Sequence, residues 1–343
     1  MKRLHMAIAA LAISGLSLVG CGAGSPSGSS SSSGALESNS SSSGSATTNS
    51  SDLKTVRVAA VPVVDVAALY IGEKQGFFKE KGLKLDIKFT AGSSVAIPAL
   101  MQDQFDVVYS GSVNALQARE KGLPIVAIAE GGRTTGVQGK DHGGIVVPAD
   151  SPIKTAKDLE NHTLAVNAVK GLHEAADRAS VSKAGGNPDK VKFLELPLTE
   201  MAATMKRGGV DAISTSEPFL TLALEEGNRL VASPFVDVSP EFVTAVYMTS
   251  EQKLAADQQF YRDFNEALKK SQEYALAHTD EFREELGNFT SIDPAVAKKM
   301  VLTNFGWGFP EEAMKAAAEA SKNAGIINNV DTALKGLVAR DLQ

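Results

Sequence analysis

The sequence predicts an α/β protein of two lobes. Strands alternate with helices at the spacing of βαβ units from Val56 onward, and the alternation restarts at Gly143. After a last strand near Val243 the chain reads as helix to its end. The residues from Leu53 onward are enough for about two domains' worth of core.

The first set opens with Val56–Val61, an alternating, β-branched strand stopped by Pro62. Asp65 is placed to cap a helix over 66–75 that Gly76 ends. A strand over 83–89 follows. Gly92-Ser93-Ser94 leads into a helix over 95–102, then a strand over 107–109, and Ser110-Gly111-Ser112 leads into a helix over 113–121 before a strand over 124–129. In the second set, strands over 143–148, 163–166, 191–196, 210–213, 229–232 and 243–249 enclose helices over 172–184, 200–207 and 218–226. Gly185 and Gly227 stop the first and last of these helices. The tail carries Phe260, Phe264 and Leu268 on one helical stripe, and Pro310 opens a helix that runs to Asn323. A helical tail after a second set returns most simply to cover the first. Lobe one is therefore expected over 53–141 plus 250–343, and lobe two over 142–249, each on a parallel sheet.

Residues 1–20 have a signal-peptide layout: Lys2, Arg3 and His5, then an apolar run shorter than the ~20 residues that span a bilayer. Leu18-Val19-Gly20-Cys21 resembles the bacterial lipobox, which implies cleavage before Cys21 and lipidation of its thiol. Residues 21–52 would then form a disordered Ser/Gly tether, reaching roughly 30 Å as a random coil. Cys21 is the only cysteine, so no disulfide is available. The net charge of -6, without a basic stripe, argues against a nucleic-acid partner.

No phosphate-binding loop, dinucleotide fingerprint, zincin motif or cysteine pair is present, and the five histidines show no ligand spacing, so no metal and no cofactor is expected. Gly92-Ser93-Ser94-Val95-Ala96 approximates a nucleophile elbow with alanine in place of the last glycine, leaving a serine hydrolase as a minor alternative. What recurs instead is a short polar turn between a strand and a helix: Gly92–Ser94, Ser110–Ser112, Asn167–Gly171 and Ser214–Glu217. Free N–H groups and hydroxyls at such turns bind small polar solutes, and ligands of open α/β sheets sit at these strand ends. Taken singly, each is better explained by ordinary helix capping; taken together, on both sets, they favour a cleft.

Four stretches, "AALYIGEKQGFFKEKGLKLDIKF" (67–89), "FDVVYSGSVNAL" (105–116), "PIKTAKDLENHTLAV" (152–166) and "GGVDAISTSEPF" (208–219), are similar to the extracytoplasmic solute-binding proteins of ABC importers, in the branch that takes sulfonates, nitrate, taurine and thiamine precursors. The resemblance implies a periplasmic-binding-protein type 2 fold with a ligand cleft between the lobes, no enzymatic activity, and a permease with its ATPase as partners. It implies ligand contacts at Val64, Asp65, Ser93, Ser94, Ser110, Gly111, Ser112, Asn167, Lys170, Gly171, Ser216 and Glu217. The expected localisation is extracytoplasmic, lipid-anchored to the bacterial cell membrane. Two ligand classes stay open. A small sulfonate, taurine or nitrate-like anion would use the hydroxyls with Lys170 or Arg133. A thiamine-type aminopyrimidine or other nitrogen heterocycle would use Asp65 and Glu217.

Overall fold

Strand β1 (Lys54–Ala60) buries residues on both faces: Val56, Val58 and Ala60 enter one apolar cluster and Ala59 another. That is the signature of a strand covered on two sides. The computed structural model describes residues 53–342, and Cys21 with the expected signal and tether lies outside them. After β1 come helix α1 (Ala67–Lys74), α2 (Phe77–Glu80), β2 (Leu83–Phe89), α3 (Ser93–Met101), β3 (Val107–Gly111), α4 (Ser112–Glu120) and β4 (Ile125–Arg133). The chain then crosses to β5 (Gly143–Val147), β6 (Thr163–Val166), α5 (Leu172–Lys183), β7 (Lys192–Glu195), α6 (Leu198–Lys206), β8 (Ala212–Ser216), α7 (Phe219–Glu225), β9 (Arg229–Ala232) and α8 (Pro234–Val238). It returns through β10 (Val243–Ser250) to α9 (Glu251–Ala256), α10 (Gln258–Ala277), α11 (Thr279–Glu285), α12 (Pro294–Ala297), α13 (Glu311–Asn323) and α14 (Val330–Leu334).

The sheets run β2-β1-β3-β10-β4 and β7-β6-β8-β5-β9. They are mixed rather than parallel. β10 lies antiparallel between β3 and β4, and β5 antiparallel between β8 and β9. The placement of β10 corrects the expected lobe boundary: the strand over 243–249 belongs to the first sheet, not to lobe two. All eight of its residues are buried, so its own pattern says only that it is central, and its partners come from more than a hundred residues upstream.

The two crossings are laced to each other. Thr134 N donates to Phe242 O at 3.0 Å, Gly139 N to Ser233 Oγ at 3.0 Å, and Gln138 Nε2 to Asp237 Oδ1 at 2.7 Å. One apolar cluster runs through this region, joining Ala175, Ala176 and Phe235 of the second lobe to Val113, Leu116 and Met314 of the first. The tail returns to the first sheet as expected: α10 buries Tyr261, Phe264, Leu268, Gln272 and Ala275 at three- and four-residue intervals. Its closest approach is to α1 at Gly72, where a Cβ would lie 2.1 Å from Ser271 Oγ and 2.4 Å from the Phe78 ring, so only glycine fits there.

Candidate functional site

In the first lobe, β3 ends at Ser110-Gly111 and α4 begins at Ser112. The Ser110 hydroxyl donates to Ser93 Oγ at 2.8 Å, joining the turns after β2 and β3. The nucleophile-elbow pattern would make Ser94 the nucleophile, and the ring hydrogen bonds of the described histidines go to Asn167, Ser216 and Tyr274 instead, which gives that reading no support. Ser112 is fully buried, and among the described residues its Oγ has no hydrogen-bond partner. Ser94 is exposed.

The side chain of Asp65, expected as a helix cap, caps nothing. It sits in a short 3-10 turn (Val64–Val66) and is buried. Its Oδ2 accepts from the Tyr109 hydroxyl at 2.6 Å, and its Oδ1 has no partner among the described residues. Burial, reinforced by the charge of Asp65, pushes the Tyr109 pKa far up and keeps the phenol protonated as donor. Room for this pair comes from a register break in β4, where Glu130 and Gly132 pair with successive residues of β10 and Gly131 is skipped. A Cβ at Gly131 would lie 2.9 Å from the Tyr109 ring, and one at Gly132 would lie 2.4 Å from Asp65 Oδ1 and 3.1 Å from Thr244 Oγ1. Thr244 Oγ1 is a further buried polar atom without a partner among the described residues.

In the second lobe, His173 bridges two expected residues. Its Nδ1 lies 2.9 Å from Asn167 Oδ1 and its Nε2 3.0 Å from Ser216 Oγ. Burial, with a smaller contribution from His142, pulls its pKa down to about 4, so the ring is neutral at physiological pH. With Asn167 Oδ1 as an acceptor, the proton sits on Nδ1 and the bare Nε2 takes the Ser216 proton. Ser216 then has only lone pairs to offer a ligand. His142 is buried beside Asp141 at 3.2 Å. Burial pulls its pKa down, but the Asp141 carboxylate outweighs that and raises it. Both histidine rings flank Phe235, at 5.5 Å for His142 and 5.3 Å for His173.

The two lobes meet at two places, the turn after β1 against that after β8 and the turn after β3 against the start of α5. Val64 N donates to Glu217 O at 3.3 Å, and Gly111 faces Leu172, whose Cβ a Cβ on Gly111 would approach to 3.2 Å. Gly171 opens α5 and is buried. The structure therefore brings together Asp65, Ser93, Ser110, Gly111, Ser112, Asn167, Gly171 and Ser216.

Other expected residues have different surroundings. Lys170 is exposed and touches Glu174 through its main-chain N–H, 2.7 Å from Oε2. Arg133 is held by Glu130 in a paired contact of 2.7 and 3.1 Å. Val64 is wholly buried in an apolar cluster. The Glu217 carboxylate accepts from Thr221 N, Thr221 Oγ1 and Val301 N, so protein donors already occupy it. Sequence reasoning missed Tyr109 and Thr244 and gave His142, His173 and Thr215 no place of their own among the ligand contacts. The available signal was a polar residue at the end of an otherwise apolar strand, as in Tyr109-Ser110 and Thr215-Ser216.

The family model described as NMT1/THI5 like matches residues 63–282. The chain belongs to this family. Among relatives of the NMT1/THI5-like chain, the protein YtlA of Bacillus subtilis (strain 168), named as a proposed binding protein, is 23% identical over 259 residues, covering 73% of this chain and 75% of that one. The formylaminopyrimidine-binding protein of Halalkalibacterium halodurans is 24% identical over 219 residues, covering 62% and 63%. In fold, the NMT1/THI5-like chain matches the alkanesulfonate-binding protein SsuA of Xanthomonas axonopodis pv. citri, with a TM-score of 0.70 at 17% identity, covering 83% of this chain and 97% of that one. It also matches the nitrate-binding protein NrtA of Synechocystis PCC 6803, with a TM-score of 0.71 at 12% identity, covering 85% and 87%.

Proposed function

We propose that this chain is the solute-binding component of an ABC importer, a binder rather than an enzyme. It captures a small organic solute between its lobes and delivers it to a permease driven by an ATPase. The observation that carries this reading is the set of buried polar atoms lacking partners among the described residues at or beside the turns: Asp65 Oδ1, Ser112 Oγ and Thr244 Oγ1 in the first lobe, Thr215 Oγ1 in the second. Such atoms cost ~1–3 kcal/mol each when left unsatisfied, and a solute that bonds them recovers that cost. A solute bridging both lobes is bound better by the closed state and shifts the hinge equilibrium toward it.

Sulfonate-, taurine- or nitrate-like anions are one ligand class, favoured by the hydroxyls and helix starts and by the solutes of the SsuA and NrtA neighbours. A specific observation favours the second class, nitrogen heterocycles such as an aminopyrimidine. Asp65 Oδ1 and the Ser216 lone pairs are acceptors that call for ligand N–H donors, while Lys170 is exposed and Arg133 is paired. The formylaminopyrimidine-binding relative fits that class. The lipobox-like segment ending at Cys21 supports an extracytoplasmic chain held at the membrane by a lipid on that thiol.

Denaturing the purified protein and identifying released small molecules by mass spectrometry tests the reading, followed by thermal shifts against sulfonates, taurine, nitrate and aminopyrimidines. Saturable stabilisation without turnover supports a binder. Consumption of the compound, or no shift with any of them, counts against it.

A further inference from the structure

The turn after β8 grips the other lobe at several points. The Glu217 main-chain carbonyl accepts from Val64 N at 3.3 Å, and its Oε1 accepts from Val301 N at 3.1 Å. Both donors belong to the first-lobe side: Val64 and Met300 share an apolar cluster with Ala67, Phe282 and Phe305. Within its own turn the carboxylate is fixed by Thr221, whose N–H donates to Oε2 at 3.0 Å and whose hydroxyl donates to Oε1 at 2.7 Å. At the far end of α7, Glu225 Oε2 takes Lys299 Nζ at 2.5 Å. The segment carrying Val301 is tied to the end of β4, with Arg133 N donating to Asn304 O at 2.8 Å and Asn304 N to Arg133 O at 3.0 Å. One second-lobe residue therefore holds two first-lobe segments, the turn after β1 and the strand-like stretch beside the hinge.

We propose that Glu217 is an interlobe latch: a positioning residue that holds the cleft closed and sets how fast a captured solute leaves. Thr221 N is buried and Val301 N half-buried, and peptide N–H groups withdrawn from water need an acceptor. An aliphatic side chain at 217 would leave both Val301 N and Thr221 N without one. The carboxylate meets both, which a hydroxyl at this position would be too short and too poor in acceptors to do. The latch takes its purpose from the solute-capture reading, but its geometry is present without solute and is tested without solute.

The test is an interlobe distance measured by double electron–electron resonance, using the full chain with Cys21→Ser and nitroxide-labelled cysteines at the exposed positions Lys88 and Lys192, one on each sheet. Leaving Val301 N without its acceptor in the closed state corresponds to about a tenfold rise in the open-to-closed ratio. Glu217→Ala is expected to show that rise as a second, longer distance. Thr221→Ala leaves both interlobe bonds in place and is expected to keep the parent distribution. Glu217→Gln retains an Oε1 acceptor for Val301 and is likewise expected to keep the parent distribution. A parent-like distribution in Glu217→Ala overturns the latch. If that variant loses the parent's circular dichroism, Glu217→Asp, whose shorter arm withdraws the carboxylate from Val301 N, decides alone, and an unchanged distribution there overturns the latch too. Failure of every compound in the solute panel to bind would sink the solute-capture reading and leave the distance result standing.

Discussion

His173 makes stability depend on pH in a definite direction. Its pKa is about 4 in the folded chain against an ordinary 6.5. Between those values the unfolded chain holds a proton on this ring that the folded chain does not. Its contribution is therefore fully present above pH 6.5 and is lost as pH falls toward 4, at ~1.4 kcal/mol per pH unit and about 3 kcal/mol in all. Among other buried groups, burial pushes the Asp141 carboxyl up, but His142 and the Thr134 and Thr135 donors outweigh it and hold it low. The contribution of Asp141 is therefore also lost as pH falls; the rest act differently. Burial raises the carboxyl pKa values of Asp177 and Glu217, so those groups favour folding as pH falls, and His142, raised by Asp141, acts above pH 6.5. The clean measurement is thus a difference: urea unfolding of the parent and of His173→Gln from pH 7.5 to 4.5. The substituted glutamine amide retains polar atoms to face Asn167 and Ser216 and has no titration. The stability of the parent relative to the variant should fall by roughly 2–3 kcal/mol across the range. A flat difference would show that the ring is not held neutral and buried between Asn167 and Ser216.

Three further perturbations follow from the same geometry. Tyr109→Phe removes the 2.6 Å hydrogen bond to Asp65 and should cost ~2–3 kcal/mol at neutral pH, a cost that chemical denaturation should find reduced in an Asp65→Asn background. Ser112→Ala deletes a buried hydroxyl that has no partner among the described residues, so stability should stay within ~1 kcal/mol. Combined with Asn167→Ala, it should abolish binding of the co-purified solute by calorimetry, and an unchanged dissociation constant would refute the cleft assignment. Gly72→Ala adds a helix-favouring residue yet drives a methyl into Ser271 and Phe78. The melting temperature should therefore fall, where an exposed helical glycine would give a gain.

The order of elements was legible because strands covered on both faces read as apolar runs and the polar turns after them are abrupt; the bounds of 83–89, 163–166 and 229–232 agree to the residue. The sheet that β10 joins was not legible, since a central antiparallel strand arriving from far along the chain carries no mark of its partners. Asp65 looked like a cap because an aspartate before a helix ordinarily is one; only the fold brings Tyr109 to it and clears the space with Gly131 and Gly132. The Asn167–His173–Ser216 chain joins residues 6 and 43 positions apart, a spacing that belongs to no helix or strand period. Lys170 and Glu217 stood in two of the turns the sequence singles out, but whether a side chain faces the cleft, the solvent or its own helix is decided by packing that adjacent residues do not encode.

Two opposed tendencies meet at this cleft. Its walls carry buried polar atoms that the described residues do not satisfy, each disfavouring the closed state by ~1–3 kcal/mol until a solute supplies a partner. Glu217, the Lys299–Glu225 pair and the shared apolar cluster around Phe235 favour closure without any solute. A binder needs both. With the walls fully satisfied by protein, a solute would gain nothing by entering, and with nothing holding the lobes together, the whole cost of ordering them would fall on the solute. Weakening the latch should then lower affinity chiefly through faster solute release, because docking onto an open lobe does not involve the Val301 and Val64 bonds.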